Sequence, residues 1–166
     1  AYRYAGAVES AFLIDEMNVE VIADGKHLPA PLLKLIYKIK GPDRIALITD
    51  AIRGAGMKEG ETVVLGNKNT GIQAIIEDGV AKLLDRSSFA GSVATTDRLV
   101  RTMVNIAEVP LADAVRMMTA TPATIMGVAD RKGTLAAGKD ADIVIFDGDV
   151  NVETTIVNGK IVYQKQ

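Results

Sequence analysis

Apolar and polar positions along the chain mark out its elements. Val19-Glu20-Val21-Ile22-Ala23 is rich in β-branched residues and stops at Asp24-Gly25, so residues 19 to 23 are predicted as a strand ended by a turn. Beyond Lys26 and His27, Pro29 and Pro31 stand where a helix can begin. Leu32, Leu33, Leu35, Ile36 and Ile39 then recur at helical spacing until Gly41-Pro42 ends the run. Residues 44 to 48, Arg-Ile-Ala-Leu-Ile, form a nearly continuous apolar strand of the kind that a parallel sheet covers on both faces. The segment reads as strand, helix, strand in α/β order.

After Asp50 the rhythm changes. Gly54, Gly56, Gly60 and Gly66 punctuate short strands at residues 62 to 65, 71 to 76 and 80 to 84, the last two joined as a hairpin across Glu77-Asp78-Gly79. From Thr95 the pattern turns helical: Thr96 can cap, Asp97 suits a first turn, and Leu99, Val100, Met103, Val104, Ile106 and Ala107 form a broad apolar stripe. A second helix is predicted over residues 111 to 118. A third, short one follows Thr121-Pro122, with the proline at its first position and Gly127 near its end. The tail is strand at 141 to 146, a turn at Asp147-Gly148-Asp149, and a hairpin from 154 to 163 closed by Asn158-Gly159.

Composition narrows the functional classes. With 19 basic and 21 acidic side chains, a net charge of -2 and no block of like charge, the chain lacks the footprint of a nucleic-acid binder. Its apolar runs are too short to span a bilayer, so no membrane partner is expected. Cysteine is absent from the 166 residues, which excludes disulfides and zinc–thiolate sites and is compatible with a reducing cytoplasm. Histidine occurs once, as His27.

That histidine follows the first predicted strand, and Asp50 follows the second. In α/β folds the carboxyl ends of parallel strands are where ligands bind. A carboxylate there can take a proton from water and pass it to a leaving amine, while an imidazole hydrogen-bonds a carbonyl or a hydroxyl. An Asp after a strand also serves as a turn former, and a loop His is often merely solvated, so the pair alone leaves both readings open. Phe89-Ala90-Gly91-Ser92 reads as a small-residue loop entering a helix near Val93, whose N–H groups could meet an anion. Arg3 could clasp a phosphate with two hydrogen bonds.

Taken in order, Ile22-Ala23-Asp24-Gly25-Lys26-His27, Ile48-Thr49-Asp50-Ala51 and Phe89-Ala90-Gly91-Ser92 resemble the N-acetylglucosamine-6-phosphate deacetylases of the amidohydrolase superfamily. The run from Lys132 to Val144 and the hairpin Thr155-Ile156-Val157-Asn158-Gly159-Lys160 resemble the superfamily's return from barrel to β-sandwich, so the likeness covers nearly the whole chain. The resemblance implies an α/β fold: the C-terminal part of a (β/α)8 barrel, its last two strands and following helices, plus strands of a small β-sandwich. Residues 1 to 130 would belong to the barrel, with a hairpin excursion at about 61 to 85, and residues 131 to 166 to the sandwich.

By the same resemblance Asp50 is the catalytic aspartate, and His27 contacts the substrate beside the scissile acetamide. Asp24, Gly25 and Lys26, with Phe89, Ala90 and Gly91, line the sugar-phosphate site. Arg3 matches a phosphate-binding arginine that often acts across a dimer interface, although the surrounding motif departs at Tyr4 and Ala5. The implied substrate is a small amino-sugar phosphate, the implied location cytoplasmic and the implied assembly a homo-oligomer.

The family's divalent metal, zinc or similar, is held by a glutamate and two histidines from earlier strands, none of which can be matched here. The isolated chain is therefore expected to be inactive. Two other readings stay open: an amidohydrolase of the cyclic-amide type, and a noncatalytic folding or oligomerisation domain.

Overall fold

A computed structural model describes residues 6 to 166. Its α/β centre is a parallel pair, β1 (Val19–Ile22) and β2 (Ile45–Ile48), in register from Val19 opposite Ile45 to Ile22 opposite Ile48. The crossing helix α2 (Ala30–Lys40) begins after Pro29 with Pro31 in its first turn, where a missing N–H costs nothing. It ends at Gly41, whose N–H still donates to the Tyr37 carbonyl at 2.9 Å and whose φ of +65° turns the chain out of the helix. A 3₁₀ turn, Pro42–Arg44, then feeds β2.

Leu33 and Ile36 of α2 are buried against Val21, Ile45 and Leu47, and the stripe of α3 (Thr96–Asn105), carried by Leu99, Val100 and Met103, closes the same core. Ala114 and Met117 of α4 (Leu111–Met118) complete it. Burying a side chain of this size contributes about 1.5–3 kcal/mol. This core holds the two parallel strands and thus the loops that leave their carboxyl ends.

Between β2 and α3 stands a four-stranded antiparallel sheet of β3 (Thr62–Leu65), β4 (Ile72–Glu77), β5 (Val80–Leu83) and β6 (Phe89–Gly91). Val63, Ala74, Ile76 and Ala81 give it a small core of its own. The excursion therefore runs past the expected 61 to 85, because residues 89 to 91 pair with β5 instead of forming a loop. The tail is a three-stranded antiparallel sheet: β7 (Ile143–Phe146), β8 (Val152–Val157) and β9 (Lys160–Gln164). Asn158 and Gly159 both take positive φ, the geometry of the tight turn expected there.

Two helices depart from the sequence pattern. The first, α1 (Ala7–Leu13), was not legible from periodicity, since seven residues are too few to show it. The last, α5 (Ala120–Ile125), starts after Thr119, so Pro122 is its third residue and not its first. Proline is tolerated throughout that first turn because its N–H would have no partner in any case. No helix among the described residues is long and apolar enough to cross a membrane.

Candidate active site

Register brings the two acidic strand ends together. Asp24 and Asp50 each stand two residues beyond the last paired positions, Ile22 and Ile48. Ala51 continues the edge by bridging in parallel to Ser92, and the Ile52 N–H donates to the Ser92 carbonyl at 2.9 Å. The segments after β1, after β2 and after β6 thus lie side by side.

The loop after β1 is folded around the Asp24 carboxylate. Its Oδ1 accepts the Lys26 and His27 backbone N–H groups, each at 2.9 Å, and its Oδ2 lies 2.8 Å from His27 Nδ1. Asp24 is 1% exposed. Burial pushes its pKa up, but the His27 and Lys26 N–H groups and the His27 ring outweigh that and hold the carboxyl below its ordinary 3.8. Gly25, at φ +75°, makes the sharp turn that lets both amides face one oxygen. The Asp24 side chain thus builds the loop while Lys26 is exposed and His27 half-buried.

The His27 ring packs edge-on against Phe89, with centroids 5.2 Å apart and planes at 64°. This contact ties β6 to the loop after β1. Gly91 takes φ +128°, and a Cβ there would run into the Ile52 side chain, so only glycine lets β6 approach the strand-end segment so closely. Ser92 is fully buried, its Oγ accepting the Ala94 N–H at 3.0 Å. Asp50 is exposed and takes φ +46°, a left-handed conformation that Asp tolerates better than most residues.

His27, Asp50 and the 89 to 92 segment therefore share one edge. One expectation fails: the helix begins at Thr96 and not near Val93, so its N–H groups lie beyond the 89 to 92 segment and do not form the foreseen cradle. Arg3 lies outside the described residues. The Ile52–Ser92 hydrogen bond and the His27–Phe89 contact had no signal in spacing, because both arise from pairing across long separations.

A metal does not fit the described residues. A catalytic zinc needs about three protein ligands, and no group of three or more His, Asp or Glu stands together among them.

The parallel strand pair thus carries a carboxylate, an imidazole and a small-residue segment at its carboxyl ends, where α/β folds bind ligands. Residues 8–162 match the model of the Amidohydrolase family, and the chain belongs to that family. It is 32% identical over 162 residues to the N-acetylglucosamine-6-phosphate deacetylase of Bacillus subtilis (strain 168), covering 98% of this chain and 39% of that protein. It is 31% identical to a putative N-acetylgalactosamine-6-phosphate deacetylase of Escherichia coli (strain K12), across 96% of this chain and 92% of that one. Among solved structures, the N-acetylglucosamine-6-phosphate deacetylase of Thermotoga maritima superposes with a TM-score of 0.85 at 31% identity, over 96% of this chain and 42% of that chain. The chain thus spans about two fifths of the length of the first curated relatives it matches.

Proposed function

We propose that this chain is the C-terminal portion of a deacetylase that hydrolyses the acetamide of N-acetylglucosamine 6-phosphate to glucosamine 6-phosphate and acetate. The observation that carries the reading is the gathering of Asp50, His27 and the 89 to 92 segment at one edge of the parallel pair. The relatives named N-acetylglucosamine-6-phosphate deacetylase support the substrate class.

In this reading β1 and β2 are the last two strands of a (β/α)8 barrel, residues 1 to 130 belong to that barrel, and residues 131 to 166 to a β-sandwich. Asp50 accepts a proton from the water whose oxygen bonds to the acetamide carbon. It returns that proton to the amine nitrogen as the carbon–nitrogen bond breaks, giving amine and acetate. Its exposure at the strand end suits a group that meets both water and substrate. His27 contacts the sugar, with Gly25, Lys26, Phe89, Ala90 and Gly91 lining its site, Asp24 supporting the loop and Arg3 on the phosphate. The divalent metal of the complete enzyme takes its ligands from outside the described residues. A cytoplasmic homo-oligomer goes with this reading.

The test is a chimera in which residues 8 to 162 replace the matching part of the Bacillus subtilis deacetylase. It should release acetate from N-acetylglucosamine 6-phosphate, and Asp50→Asn should lower the rate by about 10²–10⁴-fold. This chain alone, with divalent metal supplied, should release none. A folded chimera without turnover would favour a noncatalytic domain, and turnover by the chain alone would refute the account of the missing ligands. The Escherichia coli relative's name favours one variant of the reading, the galactosamine epimer as substrate. Running both epimers through the chimera distinguishes them.

A further inference from the structure

The Asp24–His27 pair decides which hydrogen bond His27 can offer a ligand. Asp24 is enclosed by donors: two backbone N–H groups on Oδ1, each at 2.9 Å, and the imidazole Nδ1 at 2.8 Å from Oδ2. An ionised carboxylate only accepts, so the nitrogen facing it must carry a proton. In the neutral ring the proton on Nδ1 leaves Nε2 bare, an acceptor. The His27 side chain is 23% exposed and the Asp24 side chain 0%, so the histidine is the member of the pair that can meet a ligand. Phe89, packed edge-on at 5.2 Å, also restricts the ring plane.

We infer that Asp24 is a positioning residue that holds His27 in the Nδ1–H tautomer, so that Nε2 accepts a hydrogen bond from a hydroxyl or amide N–H of the bound sugar. The neutral ring then cannot donate to the acetamide carbonyl or to a phosphate oxygen. The ligand half of this inference rests on the proposed function, whereas the tautomer half rests on geometry alone. Asp24 accordingly acts through His27 and through the fold of its own loop, without touching the substrate.

The chain's single histidine makes the test direct. Imidazole ¹⁵N spectra of the uniformly labelled full chain, taken across pH until the ring signals stop moving, report which nitrogen bears the proton. The Nδ1–H form should predominate by at least about tenfold, as a charge-assisted hydrogen bond requires. Asp24→Asn keeps the shape of the residue: its carbonyl can take the two backbone N–H bonds while its NH₂ turns to Nδ1. That variant should move the proton to Nε2. A wild-type ring that is mainly Nε2–H overturns the inference, as does a folded Asp24→Asn chain whose tautomer is unchanged. Should Asp24→Asn fail to fold, the wild-type spectrum alone still decides. An Nδ1–H ring beside an inactive chimera would refute the deacetylase reading and leave the positioning role standing.

Discussion

Gly91 combines φ +128° with an Ile52 side chain standing where a Cβ would go, so both its backbone and its space depend on having no side chain. Gly91→Ala should destabilise the chain by roughly 2–4 kcal/mol, from left-handed strain together with overpacking. Gly138→Ala, at φ +87° with no atom within 4 Å of a built Cβ, should cost only about 1 kcal/mol. Urea midpoints of the two variants check the difference. Asp24 makes a second prediction, in acid. Its folded pKa lies below 3.8 because the His27 and Lys26 hydrogen bonds outweigh burial, so the unfolded chain takes up the proton first as pH falls. The resulting stability is fully present above the unfolded value, near pH 4, and is lost as pH falls through the folded value. Wild type should weaken more steeply than Asp24→Asn when urea melts are compared between about pH 5 and pH 3. The strand-end positions of Asp24, His27 and Asp50 were legible from turn signals after apolar runs. The inward turn of the Asp24 carboxylate was not, because a side chain's partner on its own loop depends on backbone angles that spacing does not report.

Elements differ in how plainly they announce themselves. The β1–α2–β2 unit was legible because its strand is continuously apolar, its helix is amphipathic, and Pro29, Pro31 and Gly41 punctuate it. Helix α1 gave no such sign, and its anchor is non-local. The Lys40 side chain, buried at the end of α2, donates from Nζ to the carbonyls of Ala11, Ile14 and Asp15 at 3.0, 2.7 and 3.4 Å. These groups lie at the carboxyl end of α1, where helix carbonyls lack partners and a positive charge is favoured. Lys40→Met should therefore loosen α1 selectively, costing about 1.5–3 kcal/mol as hydrogen bonds to a charged group are lost. Hydrogen exchange should speed up over residues 7 to 13 and change little in β2. Uniform acceleration would show that Lys40 supports the whole fold and not this helix. Strand β6 was hidden for a related reason: Phe-Ala-Gly has weak strand character, and its pairing with Lys82 and Ala81 of β5 supplies the order.

At the scale of the molecule, the surface is too large for its mass. A folded monomer of 17.6 kDa should expose about 7,900 Å², whereas this chain exposes 10424 Å², roughly 2,500 Å² more. The excess is of the order of an extensive protein–protein interface. Much of it is apolar: Leu35 and Ile39 on α2 are exposed, as are Val144 and Ile145 on β7, and Ile161 and Val162 on β9 stand 61% and 62% open. Among the described residues the parallel sheet has two strands, and an edge left unpaired invites another chain. Covering apolar surface contributes about 25 cal/mol per Å², and this gain stands against about 4–15 kcal/mol of freedom lost on association. The isolated chain is therefore expected to self-associate. Light scattering after size exclusion, over a range of loading concentrations, should give a mass above that of one chain and rising with concentration. Ile161→Lys with Val162→Glu should shift it toward the monomer if the tail sheet is the contact, and leave it unchanged if the parallel pair's open edge is. A monodisperse wild-type monomer would mean that this surface is stable in water without a cover.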